Sequence, residues 1–166
     1  MKKIIYISDL SESEPLFHSQ VIPHINELRK RFDVTLMILV RDRKTKASND
    51  SYFYYSSVKG DYSYYLAKIV FLNQKRKIRS LIRSKKFDLI YSRGIRGGIV
   101  GSLIKKYFYS NRIALLNDTR GYPFDGMSEN FFNRTILNHS NKMVFDNSNI
   151  LFLVSNYLKK KICHAY

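Results

Sequence analysis

The sequence predicts an α/β fold in three layers, with a doubly wound parallel sheet between helices. Apolar runs of strand length recur at residues 3–8, 33–40, 87–92, 113–117 and 150–154. Segments with helical patterning separate them, as in successive βαβ units. The run Val34, Leu36, Ile38, Val40 is also apolar at the intervening Met37 and Leu39, which marks a strand buried on both faces.

Each element follows in order. Residues 3–8 read as the first strand, and the polar stretch 9–15 as the loop after it. Residues 16–31 read as the first helix and 33–40 as the second strand. A charged loop spans 41–51, followed by an aromatic third strand at 52–58, placed near an edge. Residues 61–86 form a long helix with Asp61 as its N-cap. Strand four at 87–92 breaks into a Gly-rich turn, with a helix at 97–109. Strand five covers 113–117, a helix runs from 129 to about 145 with Phe131, Phe132, Ile136 and Leu137 inward, and a last strand spans 150–154. The order is that of a Rossmann-like domain.

Length and composition narrow the class. At 166 residues, 45% of them hydrophobic and 14% aromatic, the chain suits one domain with a substantial core. No apolar run approaches the length of a membrane span. Met1-Lys2-Lys3 with Ile4-Ile5-Tyr6-Ile7 resembles a signal peptide only superficially, because the apolar stretch is short and Ser8-Asp9 follows at once. The single Cys163 excludes an internal disulfide framework and points to a reducing, cytoplasmic setting.

The net charge of +16 implies an anionic partner: nucleic acid, lipid headgroups or a phosphorylated substrate. Joint enrichment in Lys, Asn, Ile and Tyr is also what an AT-rich coding sequence produces, so part of that charge is compositional. Its placement has to decide.

Two constellations sit at predicted carboxyl ends of strands, where open α/β sheets bind anionic ligands. In the first, Arg93, Gly94, Arg96 and Gly97 combine guanidinium forks with glycines that let backbone approach a phosphate. The same glycines also suit a tight βα turn with no ligand, and no GxGxxG dinucleotide motif is present. In the second, Asp118, Arg120 and Gly121 either orient sugar hydroxyls and assist proton movement or form a loop-bracing ion pair. Asp118 is the candidate catalytic residue. Asp9, Ser11 and Glu12 after the first strand face the same crevice.

A third signal is a basic stripe. On a helix, Lys75, Arg76, Arg79, Arg83 and Lys86 fall within an arc of roughly 100°. Such a face docks on an anionic membrane surface or is simply solvated. Tyr52, Phe53, Tyr54, Tyr55, Tyr62, Tyr64 and Tyr65 precede it, as interfacial anchors or as core. His18, His24, His139 and His164 lack metal-ligand spacing, and Cys163 and Ser92 lack the context of a nucleophile. No metal or cofactor is expected.

With these motifs in place, the chain resembles the N-terminal domain of a glycosyltransferase-B enzyme, of the family-4 group in bacterial polysaccharide synthesis. The resemblance spans nearly the whole chain. It rests on the first strand and loop, on Phe17-His18-Ser19-Gln20-Val21 through Leu28 into Asp33-Val34-Thr35-Leu36, and on Phe87-Asp88-Leu89-Ile90-Tyr91-Ser92-Arg93. Asn117-Asp118-Thr119-Arg120-Gly121 and the closing Leu153-Val154-Ser155-Asn156-Tyr157-Leu158 complete it.

The resemblance implies an acceptor-binding domain, often for a lipid-linked sugar, facing a C-terminal domain that binds the nucleotide-sugar donor. That donor domain, with its paired glutamates, is absent from this sequence, so the chain alone is expected to bind acceptor weakly without turnover. Many family members carry a histidine after strand four, where this chain has Tyr91-Ser92-Arg93. That departure tells against the family's usual catalytic contact, and Arg93, Arg96 and Arg120 are expected to bind acceptor phosphate or donor diphosphate while Asp118 orients a hydroxyl. The expected setting is cytoplasmic, peripheral at the membrane's inner face. The alternative is a stand-alone basic protein that binds phosphate, nucleotide or nucleic acid without catalysis. No RNA- or DNA-binding motif supports the nucleic-acid form.

Overall fold

The computed structural model describes residues 1–10, 14–40, 51–54, 63–120, 131–156 and 159–160. Six parallel strands form one sheet in the order β3-β2-β1-β4-β5-β6. They are β1 (Lys3–Ser8), β2 (Asp33–Val40), β3 (Ser51–Tyr54), β4 (Leu89–Arg93), β5 (Ala114–Thr119) and β6 (Ile150–Leu153). The helices are α1 (Ile22–Arg29), α2 (Ser63–Lys85), α3 (Gly94–Tyr109) and α4 (Phe131–Asn147). The predicted α/β class and doubly wound order therefore hold. The aromatic β3 is at the sheet edge, residues 55–58 of the predicted strand and Asp61 lie outside the described residues, and so do the side chains of Phe131, Phe132, Ile136 and Leu137.

Strand period two divides the core. Ile5, Ile7, Met37, Ile90 and Leu115 point to one face and pack under α2, α3 and α4, with Phe71, Ile78, Ile99, Ile104 and Val144. Ile4, Tyr6, Val34, Leu36, Ile38 and Tyr91 point to the other, beneath Phe17, Val21 and Ile25. Full burial of each such side chain stabilises the fold by about 1.5–3 kcal/mol. The layers are unequal. Helix α1 packs on β2, and the described residues place no helix over the β5–β6 end of that face.

Three boundaries differ from expectation, each for a local reason. The first helix carries a π-turn at Phe17–Val21, where the Ile22 N–H donates to Phe17 O. Pro23 has no N–H to donate to Ser19, which favours the wider turn there. The β4–α3 connection is not a Gly-rich loop. Strand β4 runs through Arg93, which is extended (φ −113°, ψ 132°), and α3 starts at Gly94 rather than Gly97. Gly94 makes the turn in one residue because it adopts φ +71°, which side chains disfavour. Finally, α2 ends at Lys85, and Lys86 adopts φ 52° beyond it, so Lys86 is not on the helical stripe.

With the turn so short, the following glycines fall inside α3. A Cβ on Gly97 would come 3.1 Å from Ile7 O, and one on Gly98 would come 2.7 Å from Val144 Cγ1. One on Gly101 would meet Leu115 Cδ1 at 2.9 Å. These positions let α3 lie close against the sheet and α4.

Candidate functional site

Strands β1 and β4 are neighbours, and the chain leaves them toward opposite sides of the sheet. This is the topological switch point, where ligands of open α/β sheets bind beyond the strand carboxyl ends. Register aligns Ser8 with Arg93, Arg93 with Asp118, and Asp118 with Phe152.

Asp118 is the hub. Arg120 donates from Nε to Asp118 Oδ2 at 2.8 Å, and its terminal nitrogen lies 2.7 Å from the same oxygen. On the other side, Arg93 brings a terminal nitrogen to 3.9 Å, and both the Arg93 and Asp118 side chains are only 3% exposed. The other Arg93 terminal nitrogen donates to Gln20 Oε1 on the π-turn. Arg120 is 45% exposed and faces solvent. The pair of guanidinia leaves this corner positively charged overall, with one arginine fixed and one reachable.

Aromatic side chains floor the corner. Tyr6 and Tyr91 stack at 4.7 Å, and His24 meets both edge-on at 5.7 and 5.1 Å. Burial raises the Tyr6 hydroxyl to about 12 against the opposing Arg93 charge, and it raises Tyr91 further. Burial also holds the His24 imidazole below its usual value, with Asp118 pulling the other way. Among the described residues the Tyr6 hydroxyl meets only the Arg93 guanidinium, and Arg93 Nη1 makes no well-formed hydrogen bond of its own. Buried donors with spare capacity are uncommon in native proteins and are often found where a ligand or water completes the set.

A second cluster sits at the start of α3. Asp9 packs so closely on Gly94 that a Cβ there would fall on its carboxylate. Loss of solvent raises the Asp9 carboxyl to about 6, opposed by Arg96 and Arg93. The Asn117 amide nitrogen donates to Ser92 Oγ at 2.8 Å and Gly94 O at 3.2 Å, and Thr119 Oγ1 donates to the amide oxygen at 2.9 Å. This bridge locks the carboxyl ends of β4 and β5 together.

The structure thus brings Arg93, Asp118 and Arg120 into one corner and sets Gly94, Arg96 and Gly97 at the start of α3. Ser11, Glu12 and Gly121 lie outside the described residues. Lys75, Arg76, Arg79 and Arg83 line the outer side of α2, across the sheet from Asp118. There Lys75 Nζ sits 4.4 Å over the Tyr107 ring. Among the described residues no group of His, Cys, Asp or Glu is placed to hold a metal, and no helix is long and apolar enough to cross a membrane.

Sequence reasoning passed over Tyr6, Gln20, Tyr91 and His24. Tyrosines within strands read as core, and a lone helical histidine reads as structural. A trough of about 570 Å³ opens beside the Asp118 corner, lined by Ile4, His24, Leu28, Phe32, Leu89, Tyr91, Leu116, Asp118, Arg120, Phe152, Leu153 and Val154.

No protein-family model matches the sequence, and no curated protein does. Solved structures do match its fold. Sucrose-phosphate synthase from Thermosynechococcus elongatus superposes with a TM-score of 0.64 at 9% identity, over 99% of this chain and 45% of that one. UDP-GlcNAc 2-epimerase from Methanocaldococcus jannaschii gives 0.53 at 18% identity, over 99% and 42%. The Staphylococcus aureus MnaA–UDP structure gives 0.57 at 11% identity, over 99% and 40%. The chain therefore has the Rossmann-like fold of a glycosyltransferase-B-type domain, and it spans less than half the length of these neighbours.

Proposed function

We propose that this domain is the acceptor-side half of a glycosyltransferase. The full enzyme moves a sugar from a nucleotide-sugar donor to a saccharide acceptor, lipid-linked and used in polysaccharide biosynthesis. The supporting observation is the Arg93–Asp118–Arg120 corner at the switch point, in a fold shared with enzymes named for sugar nucleotides and sugar phosphates.

In this reading Arg120 meets the acceptor phosphate first, and the unmet Arg93 nitrogen supplies a second, pre-oriented donor. Both guanidinia engage Asp118 through Oδ2, and in this reading its other oxygen orients an acceptor hydroxyl. Arg96 and the start of α3, including Gly94 and Gly97, add positive potential on the cleft side. The donor binds on a separate domain across the cleft. The exposed face of α2, with Arg76, Arg79 and Arg83 following Ile69 and Leu72, holds the enzyme against the anionic inner membrane surface.

Calorimetric titration of the chain tests this directly. A saccharide diphosphate acceptor mimic should bind, and UDP should bind at least tenfold more weakly. Tighter binding of UDP would place this domain on the donor side. Vesicles rich in anionic lipid should retain the protein at physiological salt where oligonucleotides do not, and the reverse result would favour a nucleic-acid-binding protein.

A further inference from the structure

The π-turn at Phe17–Val21 interrupts a helix that is already under way at residues 15–16, and it places one side chain on the acceptor corner. Phe17 and Val21, at its two ends, are buried in the core beneath the sheet and fix its rotational phase. A π-turn takes one residue more than an α-turn, so it rotates what precedes it by about 100° relative to a continuous helix. Gln20 lies in this widened turn. The residue is exposed, yet its amide oxygen accepts from a terminal nitrogen of buried Arg93 on β4. Such turns inside helices are frequent at functional sites.

Arginine offers only donors, so the Gln20 oxygen is the atom that faces it. The other terminal nitrogen of Arg93 lies 3.9 Å from Asp118 Oδ2, and the Tyr6 hydroxyl meets the guanidinium. Burial keeps that hydroxyl neutral, with its value raised to about 12. Asp118 is therefore the charged partner among these, and it is shared with Arg120. Two guanidinia and one carboxylate leave the corner positive, and Gln20 fixes the Arg93 fork without changing that sum. A carboxylate at position 20 would hold the fork more strongly, because charge-assisted hydrogen bonds are the stronger kind. At an exposed position it would also lose little hydration. Stability alone thus favours glutamate there, whereas glutamine leaves the positive charge to an anion.

We infer that Gln20 is a positioning residue of the acceptor corner: it aims Arg93 at the acceptor phosphate while leaving the positive charge of the corner uncancelled. The inference rests on the acceptor-side reading and deepens it by giving the π-turn a task in anion binding. It also requires Gln20→Glu to move stability and binding in opposite directions, which a merely structural contact does not.

Titration of the intact chain with glucosyl diphosphate, a saccharide diphosphate, together with urea unfolding tests it. Gln20→Glu should raise the urea midpoint and weaken glucosyl diphosphate at least about tenfold. Gln20→Met keeps the length of the side chain but removes the acceptor, and it should weaken binding about tenfold with the circular dichroism unchanged. Ser19→Glu adds the same charge at the neighbouring exposed position and should change binding less than about threefold. Equal losses in Ser19→Glu and Gln20→Glu, or parent-like affinity in a folded Gln20→Met protein, would overturn the role of Gln20. The guanidinium nitrogen NMR signals of Arg93, assigned by their loss in Arg93→Met, separate this inference from the acceptor reading. Gln20→Met should shift and broaden them, and Ser19→Glu should not. If the parent fails to bind glucosyl diphosphate, the acceptor reading falls. Unchanged Arg93 signals in Gln20→Met would then overturn the positioning role as well, whereas altered ones would still assign Gln20 to aiming Arg93.

Discussion

Arg93 and Asp118 face each other across β4 and β5, 3.9 Å apart and both 3% exposed. Two charges removed from water this completely need partners. Asp118 has a second one in Arg120, and Arg93 has Gln20.

That asymmetry predicts an order of destabilisation. Asp118→Asn removes the carboxylate paired with the buried Arg93 charge and should cost about 3 kcal/mol. Arg120→Ala removes a 45% exposed partner and should cost about 1 kcal/mol or less. Urea unfolding of both variants checks the order, and equal losses would mean that the buried pair is not what holds the corner.

Asp9 predicts a pH dependence. Its folded value, about 6, lies above the ordinary 3.8, so the folded state prefers the neutral acid. The contribution to stability is therefore fully present below about pH 4 and is lost as pH rises toward 6. Asp9→Asn should accordingly be more stable than the parent at pH 7 by about 2 kcal/mol, with the difference vanishing below pH 4. Chemical denaturation at the two pH values measures this.

Gly98 predicts a packing cost far from any ligand. A methyl there meets Val144 Cγ1 at 2.7 Å and the Asn117 side-chain amide at 3.0 Å, so Gly98→Ala should destabilise by about 1–3 kcal/mol. Denaturation midpoints report it. A neutral result would show that α3 and α4 are less closely packed than these distances imply.

Charge reversal on α2 separates membrane docking from the cleft. Arg76→Glu with Arg79→Glu and Arg83→Glu should lower partitioning onto anionic vesicles at least about 100-fold, since each basic residue contributes about 1 kcal/mol. Saccharide diphosphate affinity should not change. Vesicle flotation and calorimetry give the two readings.

Much of the fold was legible because strand runs such as Ile4-Ile5-Tyr6-Ile7 and Val34 to Val40 are apolar at almost every position. The αβ alternation then left few topologies. The glycines after Arg93 were harder to read. A Gly-rich stretch after a strand serves either a ligand or close packing, and the contacts that decide it, Ile7, Leu115 and Val144, lie far away in sequence. Arg93 itself read as a loop residue because a charge conventionally ends a strand. Its burial depends on Asp118 and Gln20, 25 residues after and 73 before it. The apolar trough left almost no sequence signal, since Ile150, Phe152 and Val154 read as an ordinary buried strand face.

The affinity of the chain for a saccharide diphosphate, compared between the parent and Arg93→Met, tests the acceptor corner most directly. Methionine keeps the apolar stem and removes the buried donor, and loss of a charged hydrogen bond should weaken binding by about 10- to 100-fold with the circular dichroism unchanged. An unaltered dissociation constant in a folded Arg93→Met protein would contradict the assignment of this corner to the acceptor.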